Sequence, residues 1–279
     1  MSHMEIASDG MAAVADRISV KRTLGAAYRI LAGHAVPFGI IILALAIVND
    51  GCSFLARRLI DEQTSQALAT LIESGGGLVG LVLTEIMSVI VGVVWLRIIL
   101  LGEPHLGRAY LRFGAREFRY LGIDIVFGMI IGAPFIIVGA VSAYSGIANG
   151  GDMEQLESYI WPLTAGTIVW SAVCAAWLGL AFPAVATDAS GGSLRLSLRL
   201  SRRQRLPLFV AFLLGAEIWD AALLALLYVA PDETGDLQPI GFLSTALSYW
   251  ARICFVAVSA AAYGQLQHRS SASMVEAFD

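Results

Sequence analysis

Residues 206–230 read LPLFVAFLLGAEIWDAALLALLYVA. A helix needs roughly 20 apolar residues to cross a hydrocarbon core of about 30 Å. This run exceeds that length and carries two acids, Glu217 and Asp220, and no base. It predicts a membrane-spanning helix with carboxyl groups at bilayer depth, where ionisable groups are rare and demand an explanation. Five other stretches have the same character, at 36–56, 78–101, 121–146, 160–186 and 239–265. The first of these is the least clean, because it reaches full length only by including Asn49 and Asp50.

Composition agrees with that reading. The 279 residues are 57% hydrophobic and 14% charged, against about 45–50% and about 25% in soluble domains. A soluble fold of this length cannot hide so much apolar surface, so the expected class is an all-α, polytopic membrane protein with six transmembrane helices. The expected organisation is an N-terminal tail at 1–18, one transmembrane domain at 19–268 and a C-terminal tail at 269–279. Met1-Ser2-His3-Met4 reads as a cloning remnant, and no apolar run that would serve as a cleavable leader precedes the first span. The three cysteines, Cys52, Cys174 and Cys254, are far apart and imply neither a disulfide framework nor a zinc site.

The basic residues are segregated. Arg17, Lys21, Arg22 and Arg29 precede the first span; Arg108, Arg112, Arg116 and Arg119 lie between the second and third; Arg195, Arg199, Arg202, Arg203 and Arg205 lie between the fourth and fifth. The loops 149–159 and 231–238 carry only acids, among them Asp152, Glu154, Asp232 and Glu233. The positive-inside rule therefore predicts that both termini are cytoplasmic. No nucleic-acid partner is expected from arginines arranged this way.

The basic segments resemble one another. Leu24-Gly25-Ala26-Ala27-Tyr28 recurs as Leu106-Gly107-Arg108-Ala109-Tyr110, and Leu194-Arg195-Leu196-Ser197-Leu198 occupies the third equivalent place. Each precedes an odd-numbered span, which suggests a threefold repeat of cytosolic amphipathic helix plus transmembrane hairpin. Arg108, Arg112, Arg116 and Arg119 form one helical stripe, as do Arg195, Arg199, Arg202 and Arg203. Such helices lie in the interface with arginines toward anionic lipid headgroups or a membrane-protein partner. The Arg/Ser-rich segment 193–202, SLRLSLRLSR, leading straight into an apolar span, resembles a feature of several bacterial six-helix membrane families. One is the membrane domain fused to some glycerophosphodiester phosphodiesterases. The resemblance implies an architecture in a bacterial cytoplasmic (inner) membrane, and it carries over no catalytic residue.

Four charges fall at bilayer depth: Glu85 in the second stretch, Glu217 and Asp220 in the fifth, and Arg252 in the sixth. Counting roughly 1.5 Å per residue outward from the loop near residue 235 puts Arg252 level with both Glu217 and Asp220. Those two acids are three apart and share a helix face. The expected cluster is Arg252 with Glu217 and Asp220, joined by Glu85 from a somewhat shallower level. Asp124 and Arg97 are placed within about a turn of their cytoplasmic ends, where long side chains reach water easily. The cluster reads either as a structural ion pair, as a proton or cation pathway, or as a lipid or subunit contact.

Several chemistries are excluded. The single lysine, Lys21, lies outside every span, and His34, His105 and His268 lie at or beyond the interface, so no retinal Schiff base or intramembrane haem ligation is available. No GxxxxGK[ST] or GxSxG occurs. No metal or other cofactor is expected. The reading favoured by sequence is a non-catalytic accessory, assembly, or lipid- or partner-binding membrane subunit. Alternatives are a small transporter or channel built on Glu85, Glu217, Asp220 and Arg252, and an interfacial lipid-modifying enzyme.

Overall fold

All six apolar stretches are helical, as a backbone must be where no water is present to bond its N–H and C=O groups. The computed structural model describes residues 18–58, 66–101, 114–149, 153–187, 194–229 and 239–276. Among these residues every regular element is a helix: α1 (Val20–Gly33), α2 (Ala35–Arg58), α3 (Gln66–Leu101), α4 (Ala115–Asn149), α5 (Met153–Leu178), α6 (Ala181–Ala186), α7 (Leu194–Ser201), α8 (Arg205–Phe212), a π-helical turn (Leu213–Glu217), α9 (Ile218–Val229) and α10 (Pro239–Glu276). Among the described residues four segments are long and apolar enough to cross a membrane: Ala35–Cys52, Val82–Leu101, Arg205–Leu223 and Phe242–Gln267. A shorter apolar segment, Ala165–Leu178, lies in α5. The tail expected from residue 269 is instead helical as far as Glu276.

The outward faces are apolar. Val36, Ile40, Leu43 and Ile47 are all exposed on α2, with Val36 reaching 73%. Their spacing of three and four residues makes one stripe along the helix. Ile125, Met129 and Ile136 also share one exposed stripe on α4, and Ile137 beside it is exposed as well. Water would penalise such a surface, whereas hydrocarbon does not. The interior is rich in small residues: Ala172, Ala175, Ala184, Ala211, Ala257 and Ala262 are fully buried. That is how helices gain contact where lipid is as apolar as leucine and packing must drive association. α10 is the central post, packed against α1, α2, α3, α6, α8, α9 and the π turn, while α2 pairs with α3 and α5 with α4 and α8.

Three of the apolar stretches are irregular, each for a local reason. The fourth apolar stretch, expected as one span over 160–186, breaks at Gly179 and Leu180 and resumes as the fully buried α6, which packs between α3 and α4. A side chain at Gly179 would sit 2.7 Å from the Phe212 ring and 2.6 Å from the Ala175 carbonyl. Glycine thus lets α8 approach where the chain turns. The break frees the Trp177 carbonyl, and Ser197 of α7 donates its hydroxyl to it at 2.8 Å. The serines of the Arg/Ser-rich segment therefore point inward and satisfy a helix end, while Arg195 and Arg199 point outward. At the other end of α6, Arg97 donates to the Ala186 carbonyl at 3.3 Å.

The third stretch contains Pro134 inside α4. Proline has no N–H for the carbonyl four residues earlier, which is that of Ile130. Trp170 of α5 supplies the missing donor, its indole Nε1 lying 3.0 Å from that carbonyl. The fifth stretch carries the π turn at Leu213–Glu217. A Cβ on Gly215 would lie 2.6 Å from Val258 Cγ2 and 2.9 Å from Leu24 Cδ2, so α10 and α1 both press against this turn. Gly128 and Gly132, four apart in α4, mark no close approach among the described residues: a Cβ at either would meet nothing within 4 Å.

Candidate functional site

Polar side chains from α3, α4, α5, α9, α10 and the π turn line one crevice of about 690 Å³ between α3, α4 and α10. Its apolar rim includes Val82, Ile86 and Ile125, all exposed. Ser171 of α5, Phe182 of α6 and Ala216 of the π turn line it too. Its floor is aromatic. Phe182 stands edge-on to Phe127 at 5.6 Å and to Phe255 at 5.4 Å, and Tyr120 meets Phe182 at 5.0 Å. Edge-to-face contacts of this kind fix ring orientation and hold a rigid wall.

Arg252 projects from α10 into this space. Its Nη1 donates to Glu85 Oε1 at 2.8 Å and its Nη2 to Oε2 at 2.9 Å, a two-pronged match of guanidinium to carboxylate. Nη2 also donates to Asp124 Oδ2. The side chains of Arg252, Glu85 and Asp124 are 31%, 39% and 18% exposed, so the triad faces the crevice and is not sealed in the bundle.

This corrects the expected cluster. Glu85 and Arg252 do come together, but Glu217 and Asp220 make no ion pair with Arg252. Glu217 is almost fully buried and accepts a hydrogen bond from the Ser171 hydroxyl at 2.7 Å. Asp220 lines the same crevice one turn further along. The acid that sequence reading set aside, Asp124, takes the place on Arg252 expected for Glu217 and Asp220. α4 starts at Ala115, and Asp124 lies more than two turns inside it, level with Arg252 (about 14 Å at 1.5 Å per residue). Depth arithmetic along a hairpin gives level but not direction. Two helices side by side can each turn their charges toward a third.

Sequence reasoning also missed Ser171 and Tyr120. Tyr120 is buried, one helical turn before Asp124, and its hydroxyl fits against α3 because residue 92 is glycine: a Cβ there would lie 2.7 Å from Tyr120 Oη. Ser88, Gly92, Tyr120, Tyr249 and Arg252 also line a smaller cavity of about 30 Å³ behind the guanidinium. The Ser88 hydroxyl is buried there without a hydrogen-bond partner. Trp219 and Trp250 pack edge-to-face on each other at 5.8 Å.

The basic residues divide. Arg108 and Arg112 lie outside the described residues. Arg116 and Arg119 fall in the first turns of α4, Arg116 half-buried and Arg119 exposed, so they head a long helix and do not form a separate one. Arg195 and Arg199 are exposed on α7, and Arg202 and Arg203 are exposed in the turn joining α7 to α8. Among the described residues, no group of three or more His, Cys, Asp or Glu side chains is arranged to hold a metal ion.

No family model, curated protein or solved structure matches this chain. Function must be read from the site alone.

Proposed function

We propose that the chain is a non-catalytic membrane protein that carries a small cation, protons included, through the crevice lined by Glu85, Asp124, Glu217, Asp220 and Arg252. One observation carries this reading: four carboxyl groups and a single guanidinium line the same cavity among apolar helices. Arg252 is already engaged by Glu85 and Asp124. Among the described residues, the hydrogen-bond partner of Glu217 is the neutral hydroxyl of Ser171. A carboxylate in such surroundings is stable only when a proton or a cation neutralises it. A site that must be neutralised, and that opens between apolar rims, is suited to binding and releasing positive charge. The interrupted helices beside it, broken at Gly179 and carrying a π turn up to Glu217, are of the kind found where spans line a solute path.

The accompanying topology is six spans with both termini cytoplasmic in a bacterial inner membrane, and a threefold repeat of basic helix plus hairpin. What supports it is the segregation of arginines along the chain and the helical form of two of the three related segments, α1 and α7. Both bury small polar residues, Thr23 in α1 and Ser197 and Ser201 in α7.

The test is ion flux in proteoliposomes. Glu217→Gln combined with Asp220→Asn should abolish proton or monovalent-cation flux while leaving the elution profile in detergent unchanged. Undiminished flux in that double variant would sink the proposal. Absence of flux in the unaltered protein, together with a subunit that co-purifies stoichiometrically, would favour the accessory role instead.

A further inference from the structure

A second concavity lies at the basic end of the bundle, away from the carboxylates. It is a groove of about 450 Å³ where α1 meets the turn between α7 and α8. It is lined by Arg202, Arg203 and Arg205 together with the apolar Val20, Leu206, Pro207 and Val210. No acid is among its lining residues that the structure describes. Arg205 is held by stacking over the Trp177 ring at 5.3 Å, so its guanidinium is positioned in advance. The groove also contains the start of α8, whose N-cap residue, Gln204, gives it no side-chain cap. The Gln204 side chain is turned away, with Oε1 accepting the Ile18 N–H at 2.8 Å. An uncapped helix start presents N–H groups and the positive end of the helix dipole to an anion.

The apolar wall decides what kind of anion. Leu206 is 72% exposed, and α8 opens one of the four membrane-length segments, Arg205–Leu223. The groove therefore runs from guanidinium groups directly onto a face suited to hydrocarbon. A soluble phosphate compound would use the first half and leave the second bare. A phospholipid uses both.

We infer that this groove is a binding site for an anionic phospholipid, its phosphodiester held by Arg202, Arg203 and Arg205 at the start of α8 and its acyl chains lying along Leu206 and Val210. Bound lipid would brace α1 against α8 at the level of the headgroups. This site is independent of the carboxylate crevice and of the transport reading.

Native mass spectrometry of the full chain tests it, with phosphatidylglycerol, phosphatidylcholine and inorganic phosphate as probes. Phosphatidylglycerol should be retained in preference to phosphatidylcholine, and phosphate alone should neither be retained nor compete. A basic residue near the surface contributes about fivefold to anionic-lipid binding, so Arg202→Gln with Arg203→Gln should weaken retention roughly 30-fold. Both side chains are exposed, so the variant should unfold at the same temperature as the parent in lipid-free detergent. Arg199→Gln, exposed on α7 and outside the groove, should leave retention unchanged. Equal retention of the two lipids, competition by phosphate, or loss of retention in Arg199→Gln as large as in the double variant would each overturn the inference.

Discussion

Replacing Arg252 with leucine should test the site's architecture most directly. The guanidinium holds two carboxylates, with two bonds to Glu85 at 2.8 and 2.9 Å and one to Asp124. Removing one member of a well-buried ion pair costs about 3–5 kcal/mol, because the partner charge is left behind. Here two charges are left, but the side chains of Arg252 and Glu85 are 31% and 39% exposed, which lowers the penalty toward about 3 kcal/mol. For a chain of this size that corresponds to a fall in melting temperature of roughly 6–12 °C. The assay is thermal unfolding in mild detergent, followed by the fraction of protein that still elutes as a monodisperse peak. The partner assignment is tested in the same experiment. Adding Glu85→Gln and Asp124→Asn to Arg252→Leu removes the stranded charges and should recover most of the loss, since neutral replacements of a whole buried ion cluster are often tolerated. Adding Glu217→Gln instead should recover nothing. Recovery by Glu217→Gln equal to that of the Glu85 and Asp124 pair would refute the assignment, as would an unaltered melting curve for Arg252→Leu alone.

Two further perturbations address the helices that hold the site. Trp170→Phe removes the donor to the Ile130 carbonyl and should cost about 1 kcal/mol, a fall of roughly 2–4 °C; in a Pro134→Ala background, where the backbone supplies its own N–H, the same change should cost much less, and equal losses in both backgrounds would show that the indole bond is not replacing the proline's missing one. Gly92→Ala forces a methyl group against the Tyr120 hydroxyl and should cost about 1–3 kcal/mol; Tyr120→Phe should relieve part of that, since the hydroxyl is the nearest atom at 2.7 Å and the ring carbon behind it is at 3.1 Å, and no relief would place the strain elsewhere.

Much of the fold was legible because hydrocarbon imposes a simple rule on composition and length. All six apolar stretches are helical, and the four charges singled out, Glu85, Glu217, Asp220 and Arg252, do line one cavity. The face shared by Glu217 and Asp220 was also readable from their spacing. What could not be read was direction around each helix axis. Arg252 was matched to the acids of its own hairpin because connectivity makes them neighbours, whereas α10 also packs against α2, α3 and α6 and had other acids in reach. Asp124 was misjudged because its distance from the start of the apolar run at residue 121 was taken as its distance from water. The break at Gly179 was hidden because nothing polar marks it. An apolar run reads the same whether it is one helix or two, and only the approach of Phe212 reveals why the chain turns there.

The π turn at Leu213–Glu217 has a consequence for how this span is inherited. A π turn is an α-helix with one residue too many, so the inward aim of Glu217 depends on chain length as much as on the identity of any side chain. Taking out a single residue, Leu214 for instance, would let the helix close into a regular coil without losing a charge. Everything on one side of the cut would then rotate by about 100° relative to the other. The carboxyl group would leave Ser171 and the crevice although no chemical group of the site had been altered. Here a one-residue deletion, normally regarded as damage, acts as a rotation, and the acid's presence in the site is recorded in the count of residues between Gln204 and Asp220.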